Sequence, residues 1–145
     1  MPLSRQKAFL FLLFAAIGCS EATSPRLPAT FELVNISGRS LPTYFSATPG
    51  YTTTVLSAYL MLQPDGSAFW IEDRRDEAGV VTSISNTFEY RIDDGRVEVG
   101  SFGPCLTDIN CIGTYKGKVS KDALSLVMGP GTTYNYRTTI RTPID

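Results

Sequence analysis

VVTSISNTFEYRI, residues Val80 to Ile92, is the stretch that decides the fold. Val80, Thr82, Ile84, Asn86, Phe88, Tyr90 and Ile92 alternate with Val81, Ser83, Ser85, Thr87, Glu89 and Arg91. The first set is mostly apolar and aromatic, the second mostly polar. A period of two over this length is the pattern of an antiparallel strand with one face in a core and the other in water.

The same period recurs on both sides of it. Strands are predicted at Phe31–Leu33 within TFELVNI, Tyr51 to Gln63, Ser67 to Arg74, Arg96 to Phe102, Ile112 to Ser120, Leu124 to Met128 and Thr132 to Ile140. Turn formers separate them, among them Pro64-Asp65-Gly66 and Asp93-Asp94-Gly95, and an Asp-Gly pair between alternating runs is a hairpin signal. Tyr51 to Leu62 is rich in β-branched residues and carries no charge, so helix is disfavoured there, leaving at most a short turn around Ser57-Ala58. The expectation is an all-β, antiparallel up-and-down meander of seven to nine strands. Closing it into a small β-barrel removes its exposed edges.

The N-terminus has a different character. Arg5 and Lys7 precede an apolar run from Ala8 to Ile17, the composition of a secretory signal peptide. That run is about half the length of a membrane-spanning helix. At its end, Ala16-Ile17-Gly18-Cys19 resembles the bacterial lipoprotein box. The resemblance implies cleavage before Cys19 and acylation of that residue with palmitate-type chains. Two or more chains make a stable anchor where one is marginal. Ser20, in place of the Asp that accompanies inner-membrane retention in that class, implies export to the outer membrane where the source has two. The following EATSPRLPA, Glu21 to Ala29, reads as an extended tether. The predicted organisation is a signal peptide over 1–18, a lipidated cysteine and flexible tether over 19–29, and a single barrel domain over 30–142.

Removing the signal takes Arg5 and Lys7 from the 13 basic residues, against 14 acidic ones, a net charge of −3. So small and mixed a charge implies no nucleic-acid partner. With Cys19 assigned to lipid, Cys105 and Cys111 remain in GPCLTDINCIG, in a compartment that permits disulfides. A bridge between them would staple a short loop and stabilise by about 2–3 kcal/mol. The chain has no histidine, and two cysteines without further soft ligands make a poor zinc site, so neither a metal nor another cofactor is expected.

TFELVNISGRSLP, Thr30 to Pro42, resembles the opening strand and turn of small bacterial lipocalin-like lipoproteins. LMLQPDGSAFW, GTYKGKV and the closing TTYNYRTT fit the same series of strands. The resemblance covers most of the chain after the signal and implies a lipocalin-like barrel. Members of that group mostly have no assigned activity.

Two clusters are candidates for chemistry. Trp70, Phe88, Tyr90, Tyr115, Tyr134 and Tyr136 converge on the inward phase, either as a filled core or as the lining of a cavity for a small apolar ligand. Gly113 and Gly117, in phase with Tyr115, mark space for those rings or bends in the strand. Glu72 to Glu77, EDRRDE, reads as a solvated hairpin end, since its arginines would neutralise the field a cation needs. Without histidine, a hydroxyl or thiol nucleophile has few bases within reach, so no enzyme and no catalytic residue is expected. Three functions stay open: a tethered module for a small apolar ligand, a protein-binding inhibitor of an envelope lysozyme or protease, and a structural envelope component. The inhibitor would use Leu106, Thr107, Asp108, Ile109 and Asn110, held rigid by the flanking cysteines.

Cys19→Ala should leave the protein unprocessed or released from membranes, as fractionation and mass spectrometry of the N-terminus would show. Mature, membrane-bound protein from that variant would refute the anchor.

Overall fold

The computed structural model describes residues 24–48, 51–102 and 113–139, with side chains of residues 45–48 and 51 excepted. Cys19, Cys105, Cys111, Leu106 to Asn110, the signal peptide and the first part of the tether lie outside them. No helix occurs among the described residues.

Ten strands follow in order: β1 Ala29–Ile36, β2 Arg39–Ser40, β3 Thr43–Thr48, β4 Tyr51–Leu62, β5 Ser67–Arg75, β6 Val81–Asp93, β7 Arg96–Gly100, β8 Tyr115–Val119, β9 Ala123–Gly129 and β10 Thr132–Thr138. From β4 to β10 each strand pairs antiparallel with the next, β10 pairs with β1, and β1 pairs with β4. Eight strands therefore close on themselves, with β2 and β3 added outside the ring. The all-β meander and its closure are as the period of two predicts. Helix is absent around Ser57-Ala58, where the register of β4 against β5 instead shifts between Val55 and Ser57.

Burial along β6 confirms the phase. From Ile84 to Ile92 every even-numbered residue is less exposed than its odd-numbered neighbours, and Phe88 is 7% exposed. Val80, 58% exposed, and Thr82, also exposed, depart from it, because they lie in and next to the hairpin of residues 76–80. Phe31, Leu33, Leu60, Leu62, Val97, Val99, Leu124 and Leu126 are all buried in one hydrophobic cluster. Ala29, assigned from the sequence to the tether, is the first residue of β1 and is also in the core. Small and apolar, it fits opposite Leu62 where a longer side chain would not be needed.

Local chemistry fixes the turns. Asp94 and Gly95 both have positive φ, 44° and 72°, the conformation of a two-residue hairpin whose twist matches its strands. Asp76 caps the β5–β6 hairpin by accepting the Val80 N–H at 2.8 Å on Oδ1. At the opposite end, the Tyr90 hydroxyl donates to the Gln63 carbonyl at 2.6 Å, tying β6 to the β4–β5 turn. At Gly117 the backbone of β9 comes too close for a side chain: a Cβ there would overlap the Ser125 carbonyl. What the glycine makes room for is that backbone rather than a ring.

Phe88→Ala should lower unfolding free energy by about 3–5 kcal/mol, and Thr87→Ala, facing water, by no more than about 0.5 kcal/mol. Gly117→Ala should cost about 1–3 kcal/mol through overpacking. Denaturant midpoints of the three variants check all these values, and equal effects at positions 87 and 88 would contradict the strand phase.

Candidate functional site

The inward face of β5 carries Ala68, Trp70, Glu72 and Arg74 in a line. A strand puts alternate side chains on one face, so a carboxylate and a guanidinium follow the indole into the barrel. Glu72 is 0% exposed. This corrects the reading of residues 72–77 as a solvated hairpin end, which holds from Arg75 to Glu77 and fails at Glu72. The physical reason is strand length: β5 continues through Arg75, so the alternation set by Ala68 and Trp70 carries Glu72 inward regardless of its charge.

A buried carboxylate needs a partner. Arg74 supplies it, its Nε donating to Glu72 Oε1, with the Arg74 side chain 24% exposed at the rim where β5 runs into β6. Burial raises the Glu72 carboxyl above its ordinary pKa, and the Arg74 hydrogen bond and charge oppose that shift without cancelling it. Glu72 Oε2 has no hydrogen-bond partner among the described residues, and neither do Trp70 Nε1 and the Tyr136 hydroxyl.

Five of the six aromatic candidates form one continuous wall. Trp70 lies 6.3 Å from Phe88 and 6.5 Å, edge-on, from Tyr134; Phe88 meets Tyr115 edge-on at 6.1 Å, and Tyr134 lies 6.4 Å from Tyr136. Such pairs hold ring orientations that simple burial would leave free. Tyr90, the sixth, packs on the core but spends its hydroxyl on Gln63, as a corner tie. Burial, then the Glu72 charge, raises the pKa of the Tyr134 and Tyr136 phenols, so both stay protonated. The indole N–H of Trp70 faces the Tyr136 hydroxyl and draws its pKa slightly back, without closing a hydrogen bond of normal geometry.

Hollows among the described residues lie on the barrel surface, the first of them reaching Tyr136. A groove of about 530 Å³ runs over β8, β9, β10 and β1 past exposed Val34, Lys118, Ala123 and Arg137, and one of about 430 Å³ lies between Tyr44, Thr52 and the hairpin residues Arg75 to Glu77. Sequence reasoning placed the aromatic wall but missed Glu72 and Arg74, although the period of two through SAFWIEDR contained the signal.

Comparison with known proteins adds nothing to this geometry: no protein-family model matches the chain, and searches of curated proteins and of solved structures returned no significant match.

Glu72→Gln should change the pH dependence of stability in a defined sense. A carboxyl whose folded pKa is raised contributes stability that is fully present below its ordinary value of 4.5 and is lost as pH rises through the folded value. The stability of the wild type relative to Glu72→Gln should therefore fall on going from about pH 4 to about pH 8. Chemical denaturation at the two pH values checks this; a flat or rising difference would show that Arg74 fully offsets the burial.

Proposed function

We propose that this chain is an exported, lipid-anchored protein of the bacterial cell envelope whose barrel is a non-catalytic binding module for a small apolar ligand. The observation that carries the reading is the aromatic wall from Tyr115 through Phe88 and Trp70 to Tyr134 and Tyr136, which ends on buried polar atoms lacking partners. Ligand pockets combine apolar and aromatic lining with a few convergent polar groups in this way. Attachment to the membrane rests on Ala16-Ile17-Gly18-Cys19, whose resemblance to the lipoprotein box supports acylation of Cys19, with the outer membrane favoured by Ser20. The likeness to lipocalin-like lipoproteins in the later strands supports the same assignment.

A second reading gives the contact to an envelope protein such as a hydrolase. The loop that carries Leu106 to Asn110 leaves β7 at Gly100 and rejoins the barrel at Tyr115. A Cys105–Cys111 bridge would lower the ordering cost of that contact.

Native mass spectrometry of the detergent-extracted, lipidated protein, followed by organic extraction, separates the two readings. The ligand reading expects a small apolar molecule to leave with the solvent, and its return at a hundred times its Kd to stabilise the fold by about 2.7 kcal/mol. Protein without any such molecule, captured instead with an envelope hydrolase through a loop sensitive to Cys105→Ser and Cys111→Ser, would overturn it.

A further inference from the structure

The groove of about 530 Å³ on the outer face of the barrel has a cause in the residues of three strands. On β9 the outward positions Ala123 and Ser125 are small, while their cross-strand neighbours are long: Arg137 on β10 opposite Ala123, and Lys118 on β8 opposite Ser125. A trough of short side chains therefore runs between two long cationic ones. Only β9 separates the strands that carry them, about 9.5 Å across the sheet. Both head groups can reach a molecule seated over Ala123 and Ser125.

Neither cation has an ion pair among the described residues, and the neighbouring ladder shows that this is not for want of geometry. Lys116, also on β8, binds Glu98, its cross-strand neighbour, at 3.1 Å. Lys118 has Arg96 on one side and Ser125 on the other, so no acid stands opposite it. Like charges facing each other across a ladder destabilise it. Arg137 does have an acid opposite, Glu32, but that carboxylate accepts from the Tyr59 hydroxyl at 3.4 Å while Arg137 lines the groove. Asp94, in the β6–β7 turn, is the one acid of the lining, and two cations against one acid leave a single positive charge.

The rest of the lining is suited to an amphipathic guest. Val34 is 37% exposed where the register of β1 shifts, and with Ala123 it offers apolar contact. Ser125 adds a half-buried hydroxyl to the floor. The volume lies within the range of small-molecule sites, about 300–1,000 Å³.

We propose that this groove binds a small amphipathic molecule with one carboxylate, bridged by Lys118 and Arg137 over Ser125, and with its apolar body against Val34 and Ala123. A monoanion matches the charge of the lining, and hydrogen bonds from two cations to a carboxylate are stronger than neutral ones. The site is on the outside of the barrel and does not depend on the aromatic wall inside it.

Calorimetric titration of the full chain with phenylacetate, phenylethanol, phenethylammonium and acetate separates the head group from the body, and amide NMR shifts locate the contact. Phenylacetate should bind saturably, with a Kd about tenfold or more below those of phenylethanol and acetate, phenethylammonium more weakly than phenylethanol, and the largest shifts should fall at Ala123 and Ser125. Lys118 and Arg137 are exposed, so Lys118→Met and Arg137→Met should fold normally. Each should weaken phenylacetate about tenfold and leave phenylethanol unchanged. Lys116→Met, which removes a cation already held by Glu98, should alter neither. Phenylethanol binding as tightly as phenylacetate, full affinity retained in Lys118→Met or Arg137→Met, shifts confined to other strands, or no saturable binding would each overturn the site. Acetate binding as tightly as phenylacetate would overturn the amphipathic ligand and leave a surface anion site only. Should either variant fail to fold, the head-group series and the amide shifts decide alone.

Discussion

Closure of the ring depends on four residue pairs between β1 and β4, from Ala29 with Leu62 to Glu32 with Tyr59. The side chains at this seam, Phe31, Leu60 and Leu62, are buried. Backbone groups beside them have no water to turn to, so they must pair with each other. Every other ladder joins neighbours in the chain except β10 with β1, and that pairing too ends at the seam, where Thr139 N–H donates to the Thr30 carbonyl at 3.0 Å. The first strand thus holds both ends of the meander, and the alternating burial of all the others follows from its place between β10 and β4.

The two strands outside the ring are a consequence of how β1 leaves that seam. Past Glu32 it leaves β4 and stays with β10, and the register shifts between Leu33 and Asn35. Asn35 then uses its side-chain oxygen twice, accepting from Gly38 N–H at 3.1 Å and from Asn135 Nδ2 at 2.8 Å, which turns the chain back as β2. β3 takes the vacated position along the first half of β4, pairing Thr43 with Val55 and Phe45 with Thr53. The irregularity of β4 between Val55 and Ser57 lies where one neighbour replaces the other. The divergence of β1 and the insertion of β3 are one event.

This also explains what was legible beforehand. Strands from β4 to β10 announce themselves because each has one wet face, and their turns carry Asp, Gly or Pro at positions that need them. β3, TYFSAT, has no such alternation and is short, and β2 is two residues long, so neither could be read from the pattern. The aromatic wall was legible because its members obey the period. Glu72 and Arg74 obey it equally, but charge suggests water, and the run EDRRDE outweighed the alternation that began at Ala68. The position of a side chain on a strand is set by the backbone, and its charge has to be accommodated where the backbone places it.

The interior accommodates Glu72 by pairing it with Arg74. Replacing a buried ion pair with apolar residues of similar volume is often neutral or stabilising, whereas removing one partner costs about 3–5 kcal/mol. Cohesion alone would therefore be served as well by apolar residues at both positions. What the pair does instead is set the polarity of the interior at one depth. It brings a carboxylate oxygen beside an indole N–H and two phenols that burial and the Glu72 charge keep protonated. With Arg74 in place the assembly has donors and an acceptor but no net charge.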